Sequence, residues 1–237
     1  MRTEIFINHG IHESRIAILE DGRLSEIWVE RPENERMVGD VYRGTVTAVL
    51  PGLQAAFVEI GHERTAFLQV RDMIEADKSE TDGSLNGRRS RYRNYPNIQS
   101  LIKKGEEVLV QITKEPIGTK GARVTTQLSL PGRFMVLIPG GNWVGVSRKI
   151  SSWDERKRLR DLVAKIKPNG FSVIVRTEGK NQSDREFKRD MKQLVRNYER
   201  LMKTSKKAPA PVLVHKEMGM TSSVIRDLFT DNVDRLV

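Results

Sequence analysis

Two groups of residues have types and spacings that could do chemistry. Phe57 and Phe67 fall in neighbouring segments of strand character, each with an apolar residue beside it. Aromatic faces on adjacent strands can stack bases of a single-stranded nucleic acid, at roughly 1–3 kcal/mol per base and with little regard for sequence. The same two rings could instead belong to a core. Lys120 lies between Gly118 and Gly121, where the missing side chains would let a phosphate approach the backbone. The second group is Arg176-Thr177, at the end of the apolar run Phe171 to Val175 and followed by Glu178-Gly179. An arginine fork, a hydroxyl and nearby backbone N–H groups suit a phosphate monoester. Equally, Arg176 could pair with a structural carboxylate, Glu178 or Asp184.

The elements that must position these residues can be read from period and punctuation. Residues 3–30 alternate as β, with Asp21-Gly22 between two apolar runs, the strongest short-range hairpin signal. A polar, proline-containing break follows at 31–36. Residues 38–76 hold short strands separated by Pro51-Gly52 and Gly61-His62, a spacing that predicts a small barrel. From about 77 to 100 the periodicity stops. An acidic stretch gives way to Arg88, Arg89, Arg91 and Arg93 with Tyr92 and Tyr95, which reads as a mobile basic loop inserted in the barrel. Its arginines either touch phosphates or form a solvated tip. Strand character returns at 107–114, 118–127 and 133–139. Ser152-x-x-Glu155 and Ser183-x-x-Glu186 are capping boxes that open two helices with a strand, 171–177, between them. The stripe Phe187, Met191, Leu194, Val195, Tyr198, Leu201 and Met202 reads as core packing. A Lys/Ala/Pro linker over 203–211, a strand at 211–215 and a helix from Thr221 to Phe229 complete the pattern.

Composition narrows the partners. The 237 residues carry 41 Lys and Arg against 31 Asp and Glu, a net charge of +10, and the pI is near 9.9. That balance is the electrostatic footprint of a nucleic-acid binder, although a basic surface also serves solubility. With no cysteine there is no disulfide and no thiolate metal site, which fits a reducing, cytoplasmic setting. The four histidines show no ligand spacing, so no metal site is expected. No apolar run reaches the roughly 18 residues of a membrane span.

Several stretches together resemble a known family. They are Val41-Tyr-Arg-Gly-Thr-Val, Leu50-Pro-Gly-Leu-Gln-Ala-Ala-Phe-Val-Glu-Ile-Gly, Ala66-Phe-Leu, Gly118-x-Lys-Gly-Ala-x-Val-Thr-Thr, Gly145-Val-Ser-Arg-Lys-Ile, Val173-Ile-Val-Arg-Thr-Glu-Gly and Pro209-Ala-Pro-Val-Leu-Val-His. Their order resembles the N-terminal half of the ribonuclease E/G endoribonucleases. The resemblance implies a mixed α+β fold: an OB-fold β-barrel and an α/β 5′-sensor subdomain inserted into an incomplete RNase H-like subdomain. Residues 1–35 would be the first part of that subdomain and 222–237 the start of its continuation. Residues 36–126 would be the OB-fold RNA-binding domain, and 127–221 the 5′ sensor.

By matching position, the resemblance makes Phe57, Phe67 and Lys120 the RNA-contacting residues of the barrel. Arg176 and Thr177 would hold a 5′-monophosphate, with Gly132 and Val136 lining the pocket and Arg148 close by. The implied partner is single-stranded RNA, preferably 5′-monophosphorylated, and the implied setting is mRNA decay and rRNA processing. In the family, cleavage depends on a later domain with two aspartates and an asparagine on Mg²⁺, followed by a C-x-x-C zinc link between subunits. Neither motif occurs up to Val237, and Asp231 and Asp234 read as helix-end and strand-flank residues. The expectation is therefore no catalytic residue and no cofactor in this chain, with Mg and Zn belonging to the full-length enzyme and the oligomer contacts missing. The alternative is a stand-alone, non-catalytic RNA-binding regulator.

Overall fold

The computed structural model describes residues 2–31, 36–74, 95–228 and 233–237. The chain divides into two compact units, residues 1–37 with 217–237, and residues 38–216.

In the first unit, β1 (Thr3–His9), β2 (Ser14–Glu20) and β3 (Arg23–Glu30) form an antiparallel meander. Asp21 and Gly22 make the β2–β3 turn with φ of 50° and 75°, as the Asp-Gly signal requires. A fourth strand, β14 (Val233–Leu236), pairs parallel with β1, giving the order β14-β1-β2-β3. Ile5, Ile16 and Ile18 on one sheet face bury Val224 of the helix α4 (Met220–Leu228). Asp234 lies within β14 rather than at its flank, and its carboxylate accepts the Thr3 amide at 2.7 Å.

The second unit begins with a closed barrel. Its strands are β4 (Val41–Leu50), β5 (Ala55–Glu59), β6 (Ala66–Gln69), β7 (Glu107–Lys114) and β8 (Arg123–Thr125), in the order β4-β5-β6-β8-β7. A β4–β7 pairing closes the circle, giving the five-stranded OB-fold barrel that the resemblance implies. Strand alternation turns Ala56, Val58, Ala66 and Leu68 inward, where all are fully buried.

The basic loop expected over 77–100 is corrected at its end. Ile98–Leu101 form a helical turn, α1, because Ile98 is apolar and fully buried and Asn97 caps the turn through the Gln99 amide. The arginine cluster Arg88 to Arg93 and Tyr92 lie outside the described residues.

The rest of this unit is a four-stranded sheet backed by two helices. β9 (Leu130–Pro131), β10 (Met135–Pro139), β11 (Val144–Val146) and β12 (Phe171–Val175) run in the order β11-β12-β10-β9. The helices α2 (Trp153–Ile166) and α3 (Asp184–Ser205) pack Leu159, Val163, Phe187 and Met191 against Met135, Leu137, Val173 and Val175. Both caps are present, with Ser152 accepting from Glu155 N and Ser183 and Glu186 forming a full capping box. The linker expected over 203–211 starts later, since α3 continues to Ser205, whose hydroxyl bonds back to Met202 O. The short β11 gave no apolar alternation, with Gly145 at its centre. β13 (Val212–His215) returns to the barrel and pairs with the start of β4. Among the described residues, no helix is long and apolar enough to cross a membrane.

Candidate nucleic-acid interface

Phe57 and Phe67 are direct cross-strand partners in the β5–β6 ladder. Because their neighbours point inward, both rings stand on the outer face of the barrel and are only half-buried. Their centroids are 5.9 Å apart and the planes tilt by 57°, an ordinary aromatic-pair geometry that leaves faces open. Neither ring is part of the core.

Lys120 closes a tight turn, with reciprocal backbone bonds between Ile117 and Lys120 of 3.0 and 3.2 Å. The side chain of Lys120 is exposed, and the Arg64 guanidinium donates to Gly118 O in the same turn. Gly121 is required here by close approach: a Cβ would stand 2.0 Å from the carbonyl oxygen of Thr65. That contact holds the turn against the strand leading to Phe67, whose amide donates to Ala122 O at 2.7 Å. Arg123, beside Phe67 in the parallel β6–β8 pairing, is committed to Asp72 at 2.8 Å and to Gln69 at 3.0 Å. It braces the platform.

The second cluster gathers at the end of β12. Arg176 donates through Nη1 to Gly132 O at 2.7 Å, and its Nε lies 3.3 Å from the Glu178 carboxylate. The structural-carboxylate alternative is thus realised in part, by Glu178. Asp184 lies beside Arg158 instead, at 3.7 Å. The Thr177 and Ser147 hydroxyl oxygens are 3.0 Å apart. Ser147 is anchored by its amide on Val175 O, and Arg148, exposed, is the next residue. Val136 pairs with Ile174, so alternation puts both on the sheet face opposite the helices. Gly132, Arg176 and Thr177 therefore gather at one end of the sheet, where the Arg176 amide bonds Phe134 O and its Nη1 bonds Gly132 O; Arg148 follows Ser147 at that end, and Val136 stands on the face opposite the helices.

Two supports of this cluster escaped the sequence reading. Asp190, on α3, accepts the amides of Arg133 at 3.2 Å and Phe134 at 2.9 Å. Burial pushes its pKa up, and those amides together with the Arg176 charge pull it partly back. The available signal was its position in the apolar stripe, three residues after Phe187 and four before Leu194. The capping box expected of Ser152 and Glu155 is only half made: Ser152 accepts Glu155 N, while the Glu155 carboxylate, on α2, accepts the Asn181 amide at 2.9 Å and holds the Arg158 guanidinium at 2.7 and 2.8 Å. The Arg158 hydrogen bonds hold the Glu155 carboxyl below its ordinary range.

Among the described residues, no group of three or more His, Asp or Glu side chains could hold a metal ion, and the sequence has no cysteine.

Comparison with known proteins matches the two parts separately. Residues 35–126 match the S1 RNA binding domain, and residues 129–237 match the ribonuclease E/G family. The chain is 35% identical over 233 residues to ribonuclease G of Haemophilus influenzae, covering 98% of this chain and 46% of that protein. It is 34% identical over 236 residues to ribonuclease G of Escherichia coli K12, covering all of this chain and 47% of that protein. A ribonuclease E from Nostoc is 36% identical over 222 residues, 93% of this chain and 30% of the relative. The chain spans about half the length of the ribonuclease G relatives it matches. An S1 domain joined to a ribonuclease E/G domain, with relatives of that name aligned from end to end of the chain, places this protein in the ribonuclease E/G family.

Proposed function

We propose that this chain is the substrate-recognition part of a ribonuclease E/G-type endoribonuclease, binding single-stranded RNA and reading a 5′-monophosphate. The cross-strand pair Phe57–Phe67, turned out of the core beside the Lys120 turn, carries the RNA-binding reading. Bases stack on the two rings while Lys120 meets a phosphate. The end of the 5′-monophosphate strand lies at Arg176, Thr177 and Ser147. There a guanidinium and two hydroxyls offer charge-assisted donors to terminal phosphate oxygens. Gly132 and Val136 shape the floor, and Arg148 adds positive charge. The family setting makes mRNA decay and rRNA processing in the cytoplasm the natural context.

The test is binding of a labelled oligoadenylate by the wild-type chain and by Phe57→Ala/Phe67→Ala. The double variant should keep its circular dichroism spectrum and lose about 2–5 kcal/mol of binding. Unchanged affinity would remove the stacking reading.

A further inference from the structure

A groove of about 390 Å³ opens beside the barrel platform, lined by Thr47, Ala48, Val49, Gln99, Ile102, Lys103 and Lys104. We propose that it is a second nucleotide subsite, seating the part of an RNA strand that runs on past Phe57. The inference rests on the reading of Phe57 and Phe67 as a stacking platform.

The strand register supplies the direction. Ala48 on β4 is the partner of Phe57, Phe57 is the partner of Phe67, and Phe67 is the partner of Arg123 on β8. One row therefore crosses four strands, from the groove at Ala48, over both rings, to the strand that follows the Lys120 turn. Adjacent strands are about 4.8 Å apart, so the row is about 14 Å long, the reach of a few nucleotides. At one end of this row the turn before β8 carries the exposed Lys120, which the stacking reading assigns to a phosphate. Lys103 and Lys104 form a second cationic group at the opposite end, both exposed.

The groove has the composition a base requires. Ile102 is buried and, with Ala48 and Val49, gives an apolar floor, while the Gln99 amide and the Thr47 hydroxyl stand at its edge. Thr47 is itself tied to the platform, since its hydroxyl donates to Phe57 O at 3.3 Å. Of the two neighbouring acids, one is tied to the backbone of the lysine pair and the other is neutralised by an arginine. The Glu106 carboxylate accepts the Lys103 backbone amide at 3.0 Å, and Glu107 pairs with Arg43. The two ammonium groups are thus placed to meet phosphates of a strand whose base lies on the floor. A polyanion of regular phosphate spacing satisfies a cation pair, an apolar floor and a cation beyond the rings at once.

The experiment uses the full chain and a series of oligoadenylates from dinucleotide to dodecamer, at several salt concentrations. Lys103→Ala/Lys104→Ala is compared with Lys192→Ala/Lys203→Ala, which removes the same charge from exposed positions of α3. The groove variant should bind the dinucleotide like wild type and the longer oligomers at least three-fold more weakly. Its log–log salt slope should fall by about 1.4, the value for two single-strand phosphates. The α3 variant should show neither change. Two results overturn the subsite while leaving the platform standing: wild-type binding at every length in the groove variant, or equal loss at all lengths in both variants. If the wild-type chain binds no oligoadenylate at all, the platform reading fails and takes the subsite with it.

Discussion

The carboxylate of Asp190 fills the space in which a side chain on Gly132 would have to sit. A Cβ there would stand 2.6 and 2.7 Å from its two oxygens. From that position Asp190 fixes the amides of Arg133 and Phe134, and so the turn whose Gly132 carbonyl orients Arg176. A helix residue that touches no ligand thereby sets the aim of the guanidinium.

Asp190→Asn should cost about 1–3 kcal/mol of stability, because one side-chain acceptor replaces two and a buried amide loses its partner. Its wild-type pH signature is also specific. The folded-state pKa of Asp190 is raised above the ordinary 3.8, so its contribution is full below 3.8 and is lost as pH rises through the raised value. Glu155 has the opposite sign. Its pKa is lowered from 4.5, so the stability it adds is present above 4.5 and is lost as pH falls through the lowered value. Urea unfolding across this range should show the first dependence vanish in Asp190→Asn and the second in Glu155→Gln. The reverse assignment would contradict the burial argument.

For the 5′ end, the wild-type chain should prefer monophosphorylated over 5′-hydroxyl RNA by roughly 1.5–3 kcal/mol, the worth of one or two charge-assisted hydrogen bonds. Arg176→Lys should lose most of that preference, since lysine keeps the charge without the fork. Thr177→Val should lose part. Glu178→Gln should move the other way and strengthen monophosphate binding, because the carboxylate competes for Arg176 Nε. A partly exposed pair of this kind is worth on the order of 0.2–1 kcal/mol, so the gain should be no more than about five-fold. Competition between RNAs differing only at the 5′ end, at fixed salt, decides each case.

Lys120→Ala should flatten the salt dependence of RNA binding by about 0.7 in log–log slope, while leaving stability unchanged. Gly121→Ala should do the opposite. With Thr65 O only 2.0 Å from the new Cβ, the turn must shift, at a cost of about 1–3 kcal/mol in thermal or urea unfolding. Equal effects of both variants on stability would mean that Lys120 is a structural residue.

The parts of this molecule that were legible in the sequence are those written in local chemistry. The Asp21-Gly22 turn, both serine caps and the apolar stripe of α3 each follow from a backbone or periodicity rule, and each is present in the structure. The placement of Phe57 and Phe67 was undecided because alternation fixes that neighbours point to opposite faces, and only the closed barrel says which face is inside. The helical turn at Ile98 was hidden because four residues are too few to show a period. Arg176 kept two readings open because pairing with Glu178 depends on where the chain turns after Thr177. Asp190 and Ser147 reach the cluster from α3 and from the end of β11; the stripe of α3 shows that Asp190 faces inward, but no local pattern says which turn it meets.

β13 returns at the far end of the second unit to pair with its first strand, and the ladder sets His215 opposite Val41. The entrance and exit of this unit are therefore stitched side by side. A segment with that property can be lifted out of one gene and set into another through a single interruption of the host chain, because its own ends already meet. Expressed by itself, the stretch between Val38 and Lys216 would begin and finish with its termini in register.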